Sequence, residues 1–282
     1  MVEARLLIFG LGYTGTAVMR VAIRAGFAVA GTVRSAGAGI PFGDAAASIA
    51  RSTHLLSTVP PDASADPVLS RYADAIAEAP RLRWVGYLST TGVYGDRKGD
   101  WVDEGTEPAP VSDRSRRRLA AEQAWGRLAD RRAVDVFRLA SIYGPGRSVL
   151  DDLRAGTARR VGKPGHAFGR IHRDDIVSAV ITAMRQTRVS GLRVLNLVDD
   201  KPAESADVIA EAARLLGIAA PETTPFELAW PTMSPMARSF WAEHRKVSGQ
   251  RTQQMLGLRW RYPSYREGLR AILAEESGER PA

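Results

Sequence analysis

The 282-residue chain is predicted to be an α/β protein, a doubly wound parallel sheet with a small interleaved C-terminal lobe. Three observations lead there. An apolar run at residues 6–9 breaks directly into Gly10-x-Gly12-x-x-Gly15, with helical spacing over residues 14–23 behind it. Strand and helix patterns then alternate to residue 145, and beyond that point Pro and Gly punctuate shorter elements.

The first strand, 4–9, is apolar from Leu6 to Phe9, as suits a central strand buried on both faces. Gly10 allows a tight turn, Gly12 leaves room for a pyrophosphate against bare backbone, and Gly15 lets the helix at 14–25 pack close. The first N–H groups of that helix would face the anion. This is a dinucleotide grip of the Rossmann type; the alternative is a merely structural turn. Further strands are expected at 28–33, 54–59, 82–89 and 134–139, with helices at 67–79 and 113–130. Only 18 residues separate Arg34 from Thr53, too few for a full strand, helix and two turns, so an irregular segment is expected there. A strand at 193–198 and an amphipathic helix at 203–216 follow later. The predicted division is a nucleotide-binding domain at 1–146, its sheet completed by segments near 166–200, with 147–282 mainly a smaller substrate lobe.

Composition narrows the function classes. With 45% hydrophobic and 25% charged residues the chain can bury a real core. No apolar run approaches the ~20 residues needed to cross a bilayer, and there is no signal-peptide pattern, so a cytoplasmic location without membrane association is expected. The absence of cysteine excludes disulfides, thiolate nucleophiles and Cys-based metal sites, and the four histidines, at 54, 166, 172 and 244, lack ligand-like spacing. No metal is expected. The net charge of +8 reads either as a solvated basic surface or as preparation for an anionic ligand. No recognised nucleic-acid motif accompanies it, and nucleic acid is not an expected partner.

Which nucleotide the grip holds is read from the end of the second strand, Gly31-Thr32-Val33-Arg34-Ser35. An acid near this point takes the ribose 2′-hydroxyl of NAD, whereas a basic residue takes the extra phosphate of NADP. No acid occurs until Asp44, and Arg34 can stack on adenine and pair with a phosphate. NADP(H) is favoured, with NAD(H) the alternative.

Three later segments carry a family resemblance. Leu88-Ser89-Thr90-Thr91-Gly92-Val93-Tyr94-Gly95, Arg138-Leu139-Ala140-Ser141-Ile142-Tyr143-Gly144-Pro145-Gly146 and Ile171-His172-Arg173-Asp174-Asp175 each resemble a signature of the extended short-chain dehydrogenase/reductases, the NAD-dependent epimerase/dehydratase group. The resemblance implies a Rossmann domain, a C-terminal substrate lobe and chemistry at a nicotinamide. It also implies a catalytic Ser or Thr, which falls on Thr90, and a Tyr-x-x-x-Lys pair on the next long helix. Aligning Arg118-Leu119-Ala120-Ala121-Glu122 with that helix puts Arg118 in the lysine position and Arg114 in the tyrosine position. A guanidinium with a pKa above about 12 cannot shuttle protons as a phenol does, although Arg118 could still bond the nicotinamide ribose. A literal Tyr94-x-x-x-Lys98 also occurs, but on a Gly-containing loop rather than a helix face, and is read as a decoy. Tyr94 alone is a candidate proton donor or a packing residue. Residues 54–61 resemble the strand end that covers the cofactor's ribose.

Ser112 or Asp113 is the expected cap of a helix whose first two turns hold Arg114, Arg116, Arg117 and Arg118, the wrong end for cations. Residues 114, 118, 121, 125 and 128 share one stripe expected to face the sheet. The cluster either binds an anion or is neutralised by Asp103, Glu104 and Glu107. The candidates are therefore Thr90, Tyr94 and Arg118 for catalysis, and Gly10, Gly12, Tyr13, Thr14, Gly15, Arg34, Ser35, Thr58, Val59, Pro60, Thr90, Arg118 and Ser141 for the cofactor. Arg114, Arg117, Tyr143, Arg147 and His172 are candidates for substrate; for His172 the competing reading is a structural one. Together they suggest an NADP-dependent oxidoreductase or epimerase/dehydratase-like enzyme lacking Tyr-x-x-x-Lys. Its partner would be a small anionic or nucleotide-linked substrate, and the chain a monomer or homodimer. The alternative is a non-catalytic NADP(H)-binding sensor or regulatory protein.

Overall fold

A computed structural model describes residues 3–34 and 39–278. The chain forms two compact units, Met1–Val93 with Asp113–Leu139 and Ile176–Leu197, and Tyr94–Ser112 with Ala140–Asp175 and Val198–Ala282. The boundaries differ from the expected division at residue 146, because the chain leaves the sheet after its fifth strand and again after Leu139.

The first unit is built on seven strands, β1 (Arg5–Phe9), β2 (Ala28–Val33), β3 (Ile40–Pro41), β4 (His54–Ser57), β5 (Trp84–Thr90), β6 (Ala133–Leu139) and β7 (Gly191–Leu197). They pair in parallel throughout, in the order β7-β6-β5-β4-β1-β2-β3. This is the Rossmann-type doubly wound sheet expected from the sequence. The order reverses between β1 and β4, where open α/β sheets hold ligands at the carboxyl ends of their strands.

Helices α1 (Tyr13–Arg24), α2 (Ala46–Arg51), α3 (Pro67–Glu78) and α4 (Asp113–Gly126) connect the strands. Alternate residues of neighbouring strands, Leu7, Phe9, Leu55, Val85, Tyr87, Val134 and Val136, form one core with Val68, Tyr72 and Ile76 of α3 and Ala121 and Trp125 of α4. Asp66 caps α3 by accepting from the N–H groups of Val68 and Leu69, at 2.9 and 3.0 Å, and also accepts from the Trp125 indole of α4 at 3.0 Å. The crossover, expected to be abbreviated and irregular, is short: β3, a 3-10 turn at Phe42–Asp44 and the six-residue α2 occupy its described residues. An aromatic group holds these pieces, with the Phe42 ring 6.0 Å from Phe9 and 5.8 Å from Tyr72. The Tyr72 hydroxyl donates to the Phe42 carbonyl and accepts from the Ala45 N–H.

Among its described residues the second unit contains four two-stranded sheets, one of them Ser141–Tyr143 parallel to Arg170–His172. Its core joins helices Val149–Arg154, Ser205–Leu216 and Tyr265–Glu276 through Leu150, Leu153, Ile209, Ala212, Leu269 and Ile272. Among the described residues no helix is long and apolar enough to cross a membrane.

Candidate functional site

Four chain segments follow parallel strands of the first unit and so lie along one edge of its sheet: the glycine turn after β1, Arg34 after β2, Thr58–Pro60 after β4, and the end of β5. Gly10 has φ +91°, a left-handed conformation that glycine adopts without steric cost. The turn is pinned from two sides. The Gly10 N–H donates to Thr32 Oγ1 at 3.1 Å, and the Thr58 hydroxyl donates to the Gly10 carbonyl at 2.7 Å. A Cβ on Gly15 would overlap the Gly10 carbonyl oxygen, so the third glycine is required by the helix contact. A Cβ on Gly12 would meet nothing within 4 Å. Gly12 is the N-cap of α1, makes no side-chain capping bond and has no acidic residue in the turn behind it. An open cap with no competing anion is what a bound pyrophosphate requires, and the residues present fit that group.

Tyr13 is half-buried and Thr14 buried at the start of α1. Arg34 is exposed directly after β2, and Ser35 lies outside the described residues. Thr58 and Val59 are half-buried and Pro60 exposed. Thr90 ends β5, and its Oγ1 accepts from the Gly92 N–H at 3.1 Å. That bond uses a lone pair and leaves the hydroxyl proton available to a ligand oxygen.

On α4, the buried face begins at Ser115 rather than Arg114. Arg114 is exposed, and the stripe expected to start with it is corrected by one residue: Ser115 is short enough to lie against Gly92, whereas a guanidinium there would need partners. Partial desolvation and the neighbouring Arg118 still hold the Arg114 pKa below its ordinary value. Arg117 is half-buried, and Arg116 pairs with Asp113 at 2.6 Å. Arg118 points back to the sheet, its Nη1 donating to the Leu88 carbonyl at 2.7 Å and to the Tyr87 hydroxyl at 3.2 Å. Burial pushes the Tyr87 phenol up to about 12, the wrong direction for a proton donor at neutral pH.

The remaining candidates lie in the second unit. Tyr94 is fully buried, and Lys98 sits exposed at φ +52° on a turn, so the literal Tyr-x-x-x-Lys shares no helix face. Ser141 and Arg147 are exposed. Tyr143 is buried, its hydroxyl donating to the Ser264 carbonyl at 3.4 Å, and burial raises its pKa. His172 is buried between the rings of Tyr143 and Tyr262, at 5.2 and 4.1 Å, and its Nδ1 accepts from the Asp174 N–H at 3.2 Å. Burial brings its pKa down to about 4. Tyr143 and His172 are thus core residues of the second unit, in place of the substrate contacts expected of them. The Asp175 carboxylate accepts from the Arg261 and Tyr262 N–H groups at 2.8 and 3.1 Å.

Two features of the first unit had no role in the sequence reading. Gly31 makes room for the Leu11 side chain, and Thr32 receives the Gly10 N–H. A buried group joins Ser89, Glu122 and Arg138: Ser89 donates to Glu122 at 2.5 Å, and Arg138 bonds both Glu122 oxygens. An arginine inside an apolar strand and a Glu four residues after Arg118 were the available signals.

No family model matches the chain. A solved protein from Silicibacter pomeroyi, described as functionally unknown and conserved, is 40% identical over 97% of this chain and 99% of its own, with a TM-score of 0.88. This chain belongs to that protein's family. The fold is that of the extended short-chain dehydrogenase/reductases and NAD-dependent epimerase/dehydratases. The human epimerase family protein SDR39U1, solved with NADPH, covers 95% of this chain and 98% of its own at 21% identity and a TM-score of 0.78. Among curated proteins, a Streptomyces 3-diazoavenalumate denitrifying reductase is 33% identical over 142 residues, 48% of this chain and 45% of that protein. The chain spans about half the length of the curated relatives it matches.

Proposed function

We propose that the first unit binds NADP(H) at the glycine turn and that the chain is an NADP(H)-dependent oxidoreductase or epimerase/dehydratase-like enzyme. Its substrate would be small and anionic or nucleotide-linked. The observation that carries this reading is the open N-terminus of α1 at Gly12, beside a turn fixed by Thr32 and Thr58. Gly12 and the first N–H groups of α1 would receive the pyrophosphate, Thr58 and Val59 would flank the ribose, and Arg34 would meet the 2′-phosphate. The bound nicotinamide would supply or accept a hydride. Thr90, with its lone pair engaged by Gly92, would donate a hydrogen bond to the substrate oxygen whose carbon exchanges the hydride. The likeness to a reductase over half the chain and to an NADPH-bound neighbour supports this chemistry. Exposed Arg114 and half-buried Arg117 offer cationic groups to a substrate anion.

Calorimetric titration with NADPH and NADH tests the reading. NADPH is expected to bind more tightly, and Arg34→Ala to weaken it about tenfold, the scale of one charge-assisted contact. Equal affinities, or a preference unchanged in Arg34→Ala, would overturn the phosphate assignment; no binding of either would overturn the whole reading. A second reading, a sensor of NADP(H) without hydride transfer, is favoured by Arg114 and Arg118 standing where the family's tyrosine and lysine belong. Tight binding with no change in nicotinamide absorbance across a set of carbonyl acids would select it.

A further inference from the structure

The end of β5 is open on one side. β4 pairs with β5 only as far as Ser57 opposite Tyr87, whereas β6 continues to Leu139 opposite Thr90. β4 stops because Thr58 turns its hydroxyl to the Gly10 carbonyl and Val59 is followed by Pro60 and Pro61, two prolines that lack the N–H a ladder needs. Leu88, Ser89 and Thr90 therefore have a paired strand on one side alone. Helix α4 compensates with two residues one turn apart. Arg118 donates to the Leu88 carbonyl, and Glu122 accepts from the Ser89 hydroxyl while bonded to buried Arg138. Tyr87 and Ser89 face α4 by the two-residue period of a strand, which brings both anchors into reach. The Arg118 guanidinium also lies 5.8 Å over the Tyr87 ring, and that ring stacks on Trp125 at 6.0 Å.

We propose that Arg118 and Glu122 are a clamp on the open end of β5, and that Arg118 acts as a positioning residue for Thr90 rather than as a cofactor ligand. The role of Thr90 rests on the proposed function; the clamp does not. The arrangement explains why an arginine can occupy a position where the resemblance implies lysine. A planar fork can donate to a strand carbonyl while its face covers an aromatic ring, which an ammonium does poorly.

The test is hydrogen–deuterium exchange of peptides covering residues 86–92 in the full-length protein, alongside NADPH calorimetry and the fluorescence of bound NADPH. Arg118→Met is expected to speed exchange at 88–92 about tenfold and leave β1 unchanged. NADPH affinity should stay within about threefold, while the emission of the bound nicotinamide shifts. Arg118→Lys should restore part of both signals, because an ammonium can still donate to Leu88. Ser89→Ala, which removes the other anchor without touching a charge, should also speed exchange. Unchanged exchange in Arg118→Met and Ser89→Ala overturns the clamp. A tenfold or greater loss of NADPH affinity with exchange unchanged makes Arg118 a cofactor ligand instead. If the wild type binds no NADPH, the functional reading fails, and the exchange arm still decides the clamp.

Discussion

A methyl group on Gly15 would overlap the Gly10 carbonyl oxygen, whereas one on Gly12 would meet no protein atom within 4 Å. The two glycines therefore serve different ends, and single alanine substitutions should separate them. Gly15→Ala forces backbone against backbone and is expected to destabilise the protein by about 1–3 kcal/mol while also weakening cofactor binding. Gly12→Ala should leave the urea midpoint unchanged and lower NADPH affinity about tenfold or more, because its Cβ would enter the space assigned to the pyrophosphate. Equal loss of stability in both variants would show Gly12 to be structural and would remove the main support for the grip. These glycines were legible in the sequence because their spacing encodes backbone geometry directly. Thr32 and Gly31 were not: their roles depend on which residue of β2 lies beside the turn, and strand register is a tertiary fact.

At the scale of elements, the buried Glu122–Arg138 pair joins α4 to β6 beneath the end of β5, with side-chain exposures of only 6% and 5%. Removing one partner leaves the other charged and buried, so Glu122→Gln is expected to cost about 3–5 kcal/mol in chemical unfolding. Replacing both, Glu122→Leu with Arg138→Met, should recover most of that loss, since no charge is then stranded. Additive losses in the double variant would contradict this account. The strands β1, β2, β4, β5 and β6 were readable as apolar runs, and α3 and α4 from their period. The six-residue α2 was not, since it is too short to show a period, and aromatic contacts with Tyr72 and Phe9 hold its neighbourhood. On the sheet-facing side of α4, Arg118, Ala121, Trp125 and Leu128 were placed correctly and only its start was misplaced, at Arg114 instead of Ser115, for a related reason. Arg118 belongs to that face through hydrogen bonds, not apolarity, and hydropathy alone could not separate it from Arg114.

Across the whole molecule, buried titratable groups of opposite kinds set how stability depends on pH. Burial, aided by Arg83, brings the His54 pKa down from 6.5 to about 4, and burial likewise brings His166 and His172 to about 4. Between pH 6.5 and 4 the unfolded chain takes up protons on these histidines that the folded chain refuses, so each contributes stability that is lost on acidification. Asp175 and Asp199 act in the opposite sense. Burial pushes them from 3.8 to about 6 and about 8, so the folded state holds protons that the unfolded state has released, and stability is lost as pH rises through those windows. Above pH 6.5 Asp199 is the group among these still titrating, which places the stability maximum near neutrality and gives a decline toward pH 8. Two substitutions separate the limbs. Asp199→Asn keeps the shape without the charge and should abolish the alkaline decline while steepening the acid limb, because from pH 3.8 upward Asp199 opposes the histidines. His54→Gln should flatten the acid limb, narrowing the gap to wild type by on the order of 3 kcal/mol between pH 6.5 and 4. Urea unfolding at closely spaced pH measures both. A wild-type curve that keeps rising to pH 8 would show that Asp199 is ionised in the folded protein, and that the second unit must solvate or pair its carboxylate.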